Sequence, residues 1–183
     1  MNFIETKIEG CLILEPTIFK DERGYFMESF NEKTFQEKTG TETHFVQDNQ
    51  SFSTKGVLRG LHYQTGNHAQ AKLVRVLQGE VLDVAVDIRP GSKTFGEYVS
   101  ILLSGENQKQ FFVPKGFAHG FVVLSETATF FYKCDNFYNK ESEGGIIFND
   151  SAIAIDWQMA TDKLLISEKD AILPTIENAK KAW

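Results

Sequence analysis

The sequence predicts a single all-β domain over residues 1–183, built as a sandwich or barrel with a few short helices. Short apolar runs, separated by turns that contain Gly or Pro, recur at intervals of roughly 8–12 residues. The composition agrees, since 16 Phe, 14 Gly and 42% hydrophobic residues are typical of a β-rich protein with a real core.

The first strand signals lie at residues 11–15 and 24–30. Residues 73–78 and 81–88 flank Gly79-Glu80 and predict two strands joined by a turn. The second run, VLDVAVDI, alternates with a period of 2, which predicts one apolar face and one mixed face.

Turn signals and apolar runs continue through the second half of the chain. Pro90-Gly91-Ser92 and Pro114-Lys115-Gly116 are typical of turns. Further strands are expected at residues 98–103, 111–113, 121–124, 127–134, 146–148 and 153–155.

Helical signals are limited to two short segments. Asn31 is a candidate N-cap for a helix that runs to Lys38, with Gly40 at its end. Ser167-Glu168-Lys169-Asp170 resembles a capping box, and Pro174 limits the length of the helix that it begins.

Charge and cysteine content restrict the class of protein. The net charge of −6 argues against a general nucleic-acid binder. Cys11 and Cys134 are far apart and lie in apolar surroundings, so we expect buried free thiols. The first five residues do not form a signal peptide, and no apolar run is long enough to span a membrane. We therefore expect a soluble cytoplasmic protein that does not bind membranes.

The segments VLRGLHYQ at 57–64 and AQAKLVR at 69–75 place titratable and cationic groups on apolar strands. Such strands hold His62 and the neighbouring cations on rigid elements. Proton transfer on an anionic substrate requires this kind of arrangement.

Several motifs, in matching order along nearly the whole chain, resemble the dTDP-4-dehydrorhamnose 3,5-epimerase family. They are Phe19-Lys20-Asp21-Glu22-Arg23-Gly24, Gln47-Asp48-Asn49, Arg59-Gly60-Leu61-His62-Tyr63-Gln64, Ala69-Gln70-Ala71-Lys72-Leu73-Val74, residues 114–121, Tyr132-Lys133-Cys134-Asp135, Tyr138 and residues 167–170. The segments around His62 and His119 are the most specific. Gly66-Asn67-His68 departs from the family, in which a turn containing Pro is expected.

The resemblance implies a cupin jelly roll that inverts C3 and C5 of dTDP-4-dehydro-6-deoxy-D-glucose through an enolate, with no cofactor and no metal. His62 is then the base and Asp170 its partner. Tyr132 is the acid on the opposite face of the sugar, and Lys72 faces the oxyanion at O4.

The same resemblance implies the substrate contacts and a homodimer. Arginine suits phosphate oxygens and a flat phenol ring suits a base, so Arg23 and Arg59 are assigned to the diphosphate and Tyr138 to thymine. The remaining expected contacts are Glu28, Gln47, Asn49, His119, Glu143 and Lys169.

Three alternatives stay open. A metal-dependent cupin would need clustered ligands, but the four histidines form no H-x-H pair. A sugar-nucleotide binding module would keep the arginines without needing the acid and base. A mono-epimerase that inverts C3 or C5 alone would keep all of the catalytic and substrate-binding residues.

The spacing of Arg59 and His62 poses a geometric problem, because residues three apart on a regular strand point to opposite faces. A bulge at Gly60 would bring both side chains to one site. Alternatively, Arg59 serves a site on a partner subunit.

Overall fold

The computed structural model describes residues 1–182, and these fold into two facing six-stranded sheets and one separate hairpin. The strands, numbered β1 to β14 in chain order, are Asn2–Glu5, Leu12–Glu15, Phe19–Asp21, Gly24–Phe26, Gln47–Thr54, Val57–Gln64, Lys72–Gln78, Glu80–Asp87, Tyr98–Ser104, Gln110–Val113, Phe117–Val123, Thr127–Cys134, Glu143–Gly145 and Leu165–Ile166. The α-helices are α1, Glu32–Thr39, and α2, Glu168–Ala171.

The first sheet has the strand order β1-β2-β10-β7-β12-β5. The second has the order β13-β6-β11-β8-β9, with the short β14 parallel to β6. Neighbours along both orders are antiparallel, and strands distant in sequence lie side by side. This arrangement confirms the expected cupin-like all-β fold.

The core lies between the two sheets and is filled by large aromatic and branched side chains. Phe111 and Phe130 of the first sheet meet Val81, Leu103 and Phe121 of the second. The Phe121 and Phe130 rings stack at 4.1 Å between centroids, directly below the cavity described in the next section. The core therefore forms a rigid floor for this cavity.

The alternating strand β8 is buried on both faces. Leu82, Val84 and Val86 pack in a second apolar cluster that covers the outer face of the sheet. The mixed face points between the sheets and carries Asp83 and Asp87, both fully buried. The predicted alternation is confirmed, and the mixed face places carboxylates inside the molecule.

Both predicted helices are confirmed, including their caps. The Asn31 side chain accepts from the Thr34 amide, and Gly40 ends α1 in the left-handed conformation with φ +66°. Ser167 caps α2 through the Asp170 amide at 3.1 Å. Within residues 1–182, no helix has the length and apolar character needed to cross a membrane.

Some strand predictions are wrong in extent or in kind. Strand β4 ends at Phe26 instead of residue 30, and β11 begins at Phe117, which places His119 on a strand. Residues 146–148 and 153–155 are not strands, because their apolar side chains cover the outer face of the second sheet. Strand β5 escaped prediction because its inward residues are polar and line a cavity.

Candidate active site

A cavity of about 830 Å³ opens between the two sheets. Strands β5, β6, β7, β11 and β12 and helix α2 contribute its walls. Eight of the predicted site residues line it: Asn49, Arg59, His62, Lys72, His119, Tyr132, Lys169 and Asp170. Residues far apart in the chain therefore share one concave site.

His62 and Asp170 form a hydrogen-bonded pair on one side of this cavity. Nε2 of His62 lies 2.7 Å from Oδ1 of Asp170, while Oδ2 accepts from the Gly60 amide at 3.3 Å. This contact leaves Nδ1 as the nitrogen available to a ligand. Burial opposes ionisation of Asp170, but His62, the Gly60 amide and Lys169 together hold its pKa below the usual value. The carboxylate can therefore fix the ring and stabilise an imidazolium.

Lys72 and Tyr132 come from the first sheet and face the cavity opposite strand β6. The ammonium of Lys72 lies 5.8 Å from the centroid of the Tyr132 ring. Burial lowers the pKa of Lys72 and raises that of Tyr132. A desolvated cation interacts strongly with a charge that develops beside it, and the phenol retains its proton at neutral pH.

Arg59 reaches the same cavity as His62 because β6 carries an extra residue. His62 is opposite His119, but Arg59 is opposite Phe121, so three steps on β6 match two on β11. Gly60 takes φ +133° at this irregularity, a conformation that favours glycine. Of the two alternatives, the irregularity at Gly60 is therefore present, and Arg59 donates to Ser53 at 3.1 Å within its own chain.

A second carboxylate–imidazole pair, which the sequence did not predict, lies deeper in the wall. Nε2 of His119 is 2.9 and 3.0 Å from the two oxygens of Asp83. Asp83 is fully buried on the mixed face of β8. An acidic residue on the inward face of an apolar strand was the available signal, because buried carboxylates need a partner.

A smaller cavity of about 320 Å³ adjoins the first and shares Asn49, His62, Lys72 and Tyr132 with it. It adds three predicted contacts and one buried thiol: Gln47, Tyr138, Glu143 and Cys134. The amide of Gln47 donates to Asn49 at 3.0 Å, and that of Asn49 to Cys134 Sγ at 3.7 Å. The sequence did not assign Cys134 to the site, but its thiol accepts a hydrogen bond from the predicted contact Asn49 and helps to fix it. Both cysteines are free and buried, as expected.

Glu143 bridges two other predicted contacts at the rim. One of its oxygens lies 2.7 Å from Lys169 Nζ, and the other accepts from the Tyr138 hydroxyl at 3.3 Å. Burial raises the pKa of Glu143, but Lys169 and then His62 reverse this effect and hold it below its usual value. The pKa of Lys169 is raised by the same ion pair.

Arg23 and Glu28 line neither of these cavities. Arg23 lies on the loop of the β3–β4 hairpin, 85% exposed, and pairs with Asp21. Glu28 accepts from the Asn31 amide at 3.2 Å. Phe19, Tyr25 and Phe26 on the same hairpin are 57–70% exposed. A ligand-binding role for Arg23 and Glu28 remains a prediction.

The residues present suit proton transfer more than metal chelation. Within residues 1–182, no three metal-ligating side chains cluster. An imidazole, a phenol and an ammonium that face one polar cavity in a cupin-like double sheet are the groups that an isomerase of a small molecule uses to move protons and stabilise an anion. The site combines a paired imidazole, a buried phenol and a desolvated ammonium.

The particular family follows from comparison with known proteins. The sequence profile of the dTDP-4-dehydrorhamnose 3,5-epimerases matches residues 5–178, and the chain belongs to this family. The Escherichia coli (strain K12) enzyme of that name is 55% identical over 97% of this chain and 95% of its own length.

Two crystal structures superpose closely on the fold. The dTDP-4-dehydrorhamnose 3,5-epimerase of Elizabethkingia anophelis NUHP1 has a TM-score of 0.95 at 58% identity, and covers 100% of this chain and 99% of its own. The epimerase of Legionella pneumophila Philadelphia 1, in complex with dTDP-4-keto-L-rhamnose, has a TM-score of 0.93 at 54% identity, covering 97% and 93%.

Proposed function

We propose that this enzyme converts dTDP-4-dehydro-6-deoxy-D-glucose into dTDP-4-dehydro-L-rhamnose by inverting C3 and C5. Family membership and the ligand of the Legionella epimerase support the substrate class. The observation that carries the mechanism is that His62, Lys72 and Tyr132 line one cavity from two facing sheets. A sugar ring between the sheets would have a base on one face and an acid on the other.

His62 acts as the base in this mechanism. The C4 carbonyl acidifies the hydrogens on C3 and C5, and Nδ1 takes the proton because Nε2 is held by Asp170. The C–H electron pair stays on the sugar and forms the enolate. Asp170 then stabilises the imidazolium through the existing hydrogen bond.

Lys72 and Tyr132 complete the step from the other sheet. The Lys72 ammonium stabilises the negative charge on O4 of the enolate, with an effect strengthened by its burial. The phenol of Tyr132 then gives a proton to the opposite face of the carbon and is restored from water. The proton lost and the proton gained balance, so the reaction needs no redox partner.

The nucleotide end occupies the rim of the two cavities. Arg59 supplies a guanidinium for the diphosphate, and Tyr138, exposed beside the smaller cavity, offers a ring for thymine. Gln47, Asn49, His119, Glu143 and Lys169 supply the remaining polar contacts.

We assign Arg23 and Glu28 to the cavity of a second subunit in a homodimer. The β3–β4 hairpin pairs with neither main sheet and carries exposed aromatic residues. Exposed apolar groups of this kind are typical of an interface. If the hairpin reaches across the interface, Arg23 contacts the diphosphate that is bound in the cavity of the partner subunit.

Solvent exchange tests the reaction. Incubation of the enzyme with the 4-keto sugar nucleotide in heavy water, followed by NMR, should show deuterium at both C3 and C5. His62→Ala should abolish both signals. Tyr132→Phe should slow inversion at C5 more than it slows abstraction of the proton from that carbon.

Each alternative activity gives a different labelling result. Label at one carbon alone would identify a mono-epimerase. Tight dTDP binding without any label would indicate a binding module. Unchanged exchange in His62→Ala would remove the proposed base.

A further inference from the structure

His62 also lines a third space, a side pocket of about 240 Å³ that neither the sugar nor the diphosphate has been assigned to. The backbone of Gly144 and Gly145, together with Leu173, Pro174 and Lys180, forms its outer wall. A pocket of this size holds several water molecules. The base therefore has an approach besides the two cavities that are assigned to the substrate.

The Glu143–Lys169 ion pair separates this side pocket from the two substrate cavities. Glu143 lines the smaller cavity and the side pocket, while Lys169 lines the main cavity and the side pocket. Their contact of 2.7 Å forms part of the shared wall. The carboxylate also lies close enough to His62 for the two charges to interact.

The chemistry of a double inversion creates a need for such an opening. Each inversion adds one proton to the base and removes one from the acid. The second inversion cannot begin until the imidazolium has lost its proton, although the bound sugar nucleotide then occupies the main and the smaller cavity. Water must reach His62 by another route, or the half-inverted sugar must leave.

We propose that the side pocket is the route by which His62 returns its proton to water between the two inversions. The inference rests on the proposed function. In the first inversion the C–H proton moves to Nδ1 of His62, and the same nitrogen then passes this proton to a water molecule from the pocket, while Nε2 stays on Asp170. The imidazole is then a neutral base again. The acid takes a proton from solvent, so no net proton is gained or lost. The negative charge of Glu143 stabilises the proton as it leaves.

Leu173→Trp tests this proposal by filling the pocket without replacing the acid, the base or the ammonium. We expect hydrogen exchange at the first carbon in heavy water to stay within about twofold of wild type. The ratio of doubly to singly inverted product should fall by about tenfold, because the reset of the base becomes slow. Affinity for dTDP should stay the same.

Ile172→Trp is the matched control, because Ile172 is the adjacent residue, is 83% exposed and does not line the pocket. It should keep the wild-type product ratio. If Leu173→Trp does not fold, Lys180→Trp closes the same pocket from another residue and should show the same fall in the product ratio. Leu173→Ala widens the pocket and should keep the wild-type ratio.

Three outcomes would overturn the proposal. The first is a wild-type product ratio in a folded pocket-filling variant. The second is weaker dTDP binding that matches the loss of doubly inverted product, which would mean that the pocket holds nucleotide. The third is a fall in the ratio for Leu173→Ala. Failure of wild-type enzyme to label both carbons would instead refute the proposed function.

Discussion

At the scale of single residues, this site depends on side chains whose surroundings alter their chemistry. His62 is an ordinary imidazole until Asp170 fixes its Nε2 at 2.7 Å. Lys72 becomes a stronger electrostatic partner because burial removes its water, and the same burial keeps the Tyr132 phenol protonated. Each role therefore depends on a neighbour or on burial.

Asp170→Asn should lower kcat by about 10²–10⁴-fold, because an amide can neither hold the His62 tautomer nor stabilise the imidazolium. Affinity for dTDP should change little, since Asp170 carries no nucleotide contact. The measurement is steady-state kinetics together with dTDP titration. Glu168→Gln, which removes an exposed carboxylate from the same helix, is the control. Equal kcat in the two variants would exclude the proposed pair.

The lowered pKa of Lys72 predicts an alkaline limit to activity. As pH rises through this pKa, the ammonium loses its proton and no longer stabilises the enolate. The fall in kcat should therefore begin at a pH below the ordinary pKa of lysine. Lys72→Arg should lower kcat but remove this limb, because guanidinium stays charged. A pH–rate profile of both proteins gives the answer. An identical alkaline limb in both would point to another group, with Tyr132 as the first candidate.

At the scale of elements, strand irregularity builds the site as much as regular pairing does. The extra residue in β6 turns Arg59 and His62 to one cavity. Strand β5 pairs with β12 along its whole length, and alternate polar residues face inward. The N-cap of the short α2 sets the position of Asp170. Bulge, edge strand and cap each position a different part of the site.

Gly60→Ala should destabilise the protein by more than about 3 kcal/mol, because it combines strain at φ +133° with a backbone clash. A Cβ at this position would lie 2.6 Å from Gly120 Cα and 2.9 Å from the His119 carbonyl oxygen. Denaturant unfolding measures the loss.

Gly91→Ala is the control for this prediction. Its φ is +76°, and nothing lies within 4 Å of the added Cβ, so only strain remains. We expect a loss of about 1 kcal/mol there. Similar losses at both positions would show that close packing at the bulge is unimportant.

At the scale of the whole molecule, two sheets joined by distant strand pairings bring a base from one side to an acid from the other. Residues 57–64 and 127–134 lie in different sheets, and both line the cavity. The β3–β4 hairpin pairs with neither sheet, contacts the rest of the chain through Tyr25 and Gln108, and carries Arg23 at its tip. The proposed homodimer gives this hairpin a role in the partner's site.

Mixed dimers test that role. Mixing His62→Ala with Arg23→Ala subunits, after denaturation and refolding, should restore about a quarter of wild-type activity, since half of the dimers are hybrids with one intact site. Mixing His62→Ala with Tyr132→Phe should restore none, because both changes lie in the same cavity. The assay is epimerase activity against the refolded parent variants. No gain in the first mixture would place Arg23 in its own subunit's site or in none.

Much of this structure follows from local sequence patterns. The period-2 run of β8, the caps of both helices and the strand at 127–134 were predicted, because each depends on neighbouring residues. Eight site residues that the family motifs indicated meet in one cavity. Strand β5 was missed, and residues 146–148 and 153–155 were wrongly predicted as strands, because burial of these segments depends on what packs against them.

The sequence alone determined the all-β class, the family and the chemical types available for catalysis, since side-chain chemistry and turn preferences are local properties. Only the tertiary structure decided which groups work together. It paired Asp83 with His119, set the Cys134 thiol behind Asn49 and gave His62 a side pocket next to Leu173. The physical reason is that hydrogen bonding and desolvation act over a few ångströms in space, between residues that can be more than a hundred positions apart in the chain.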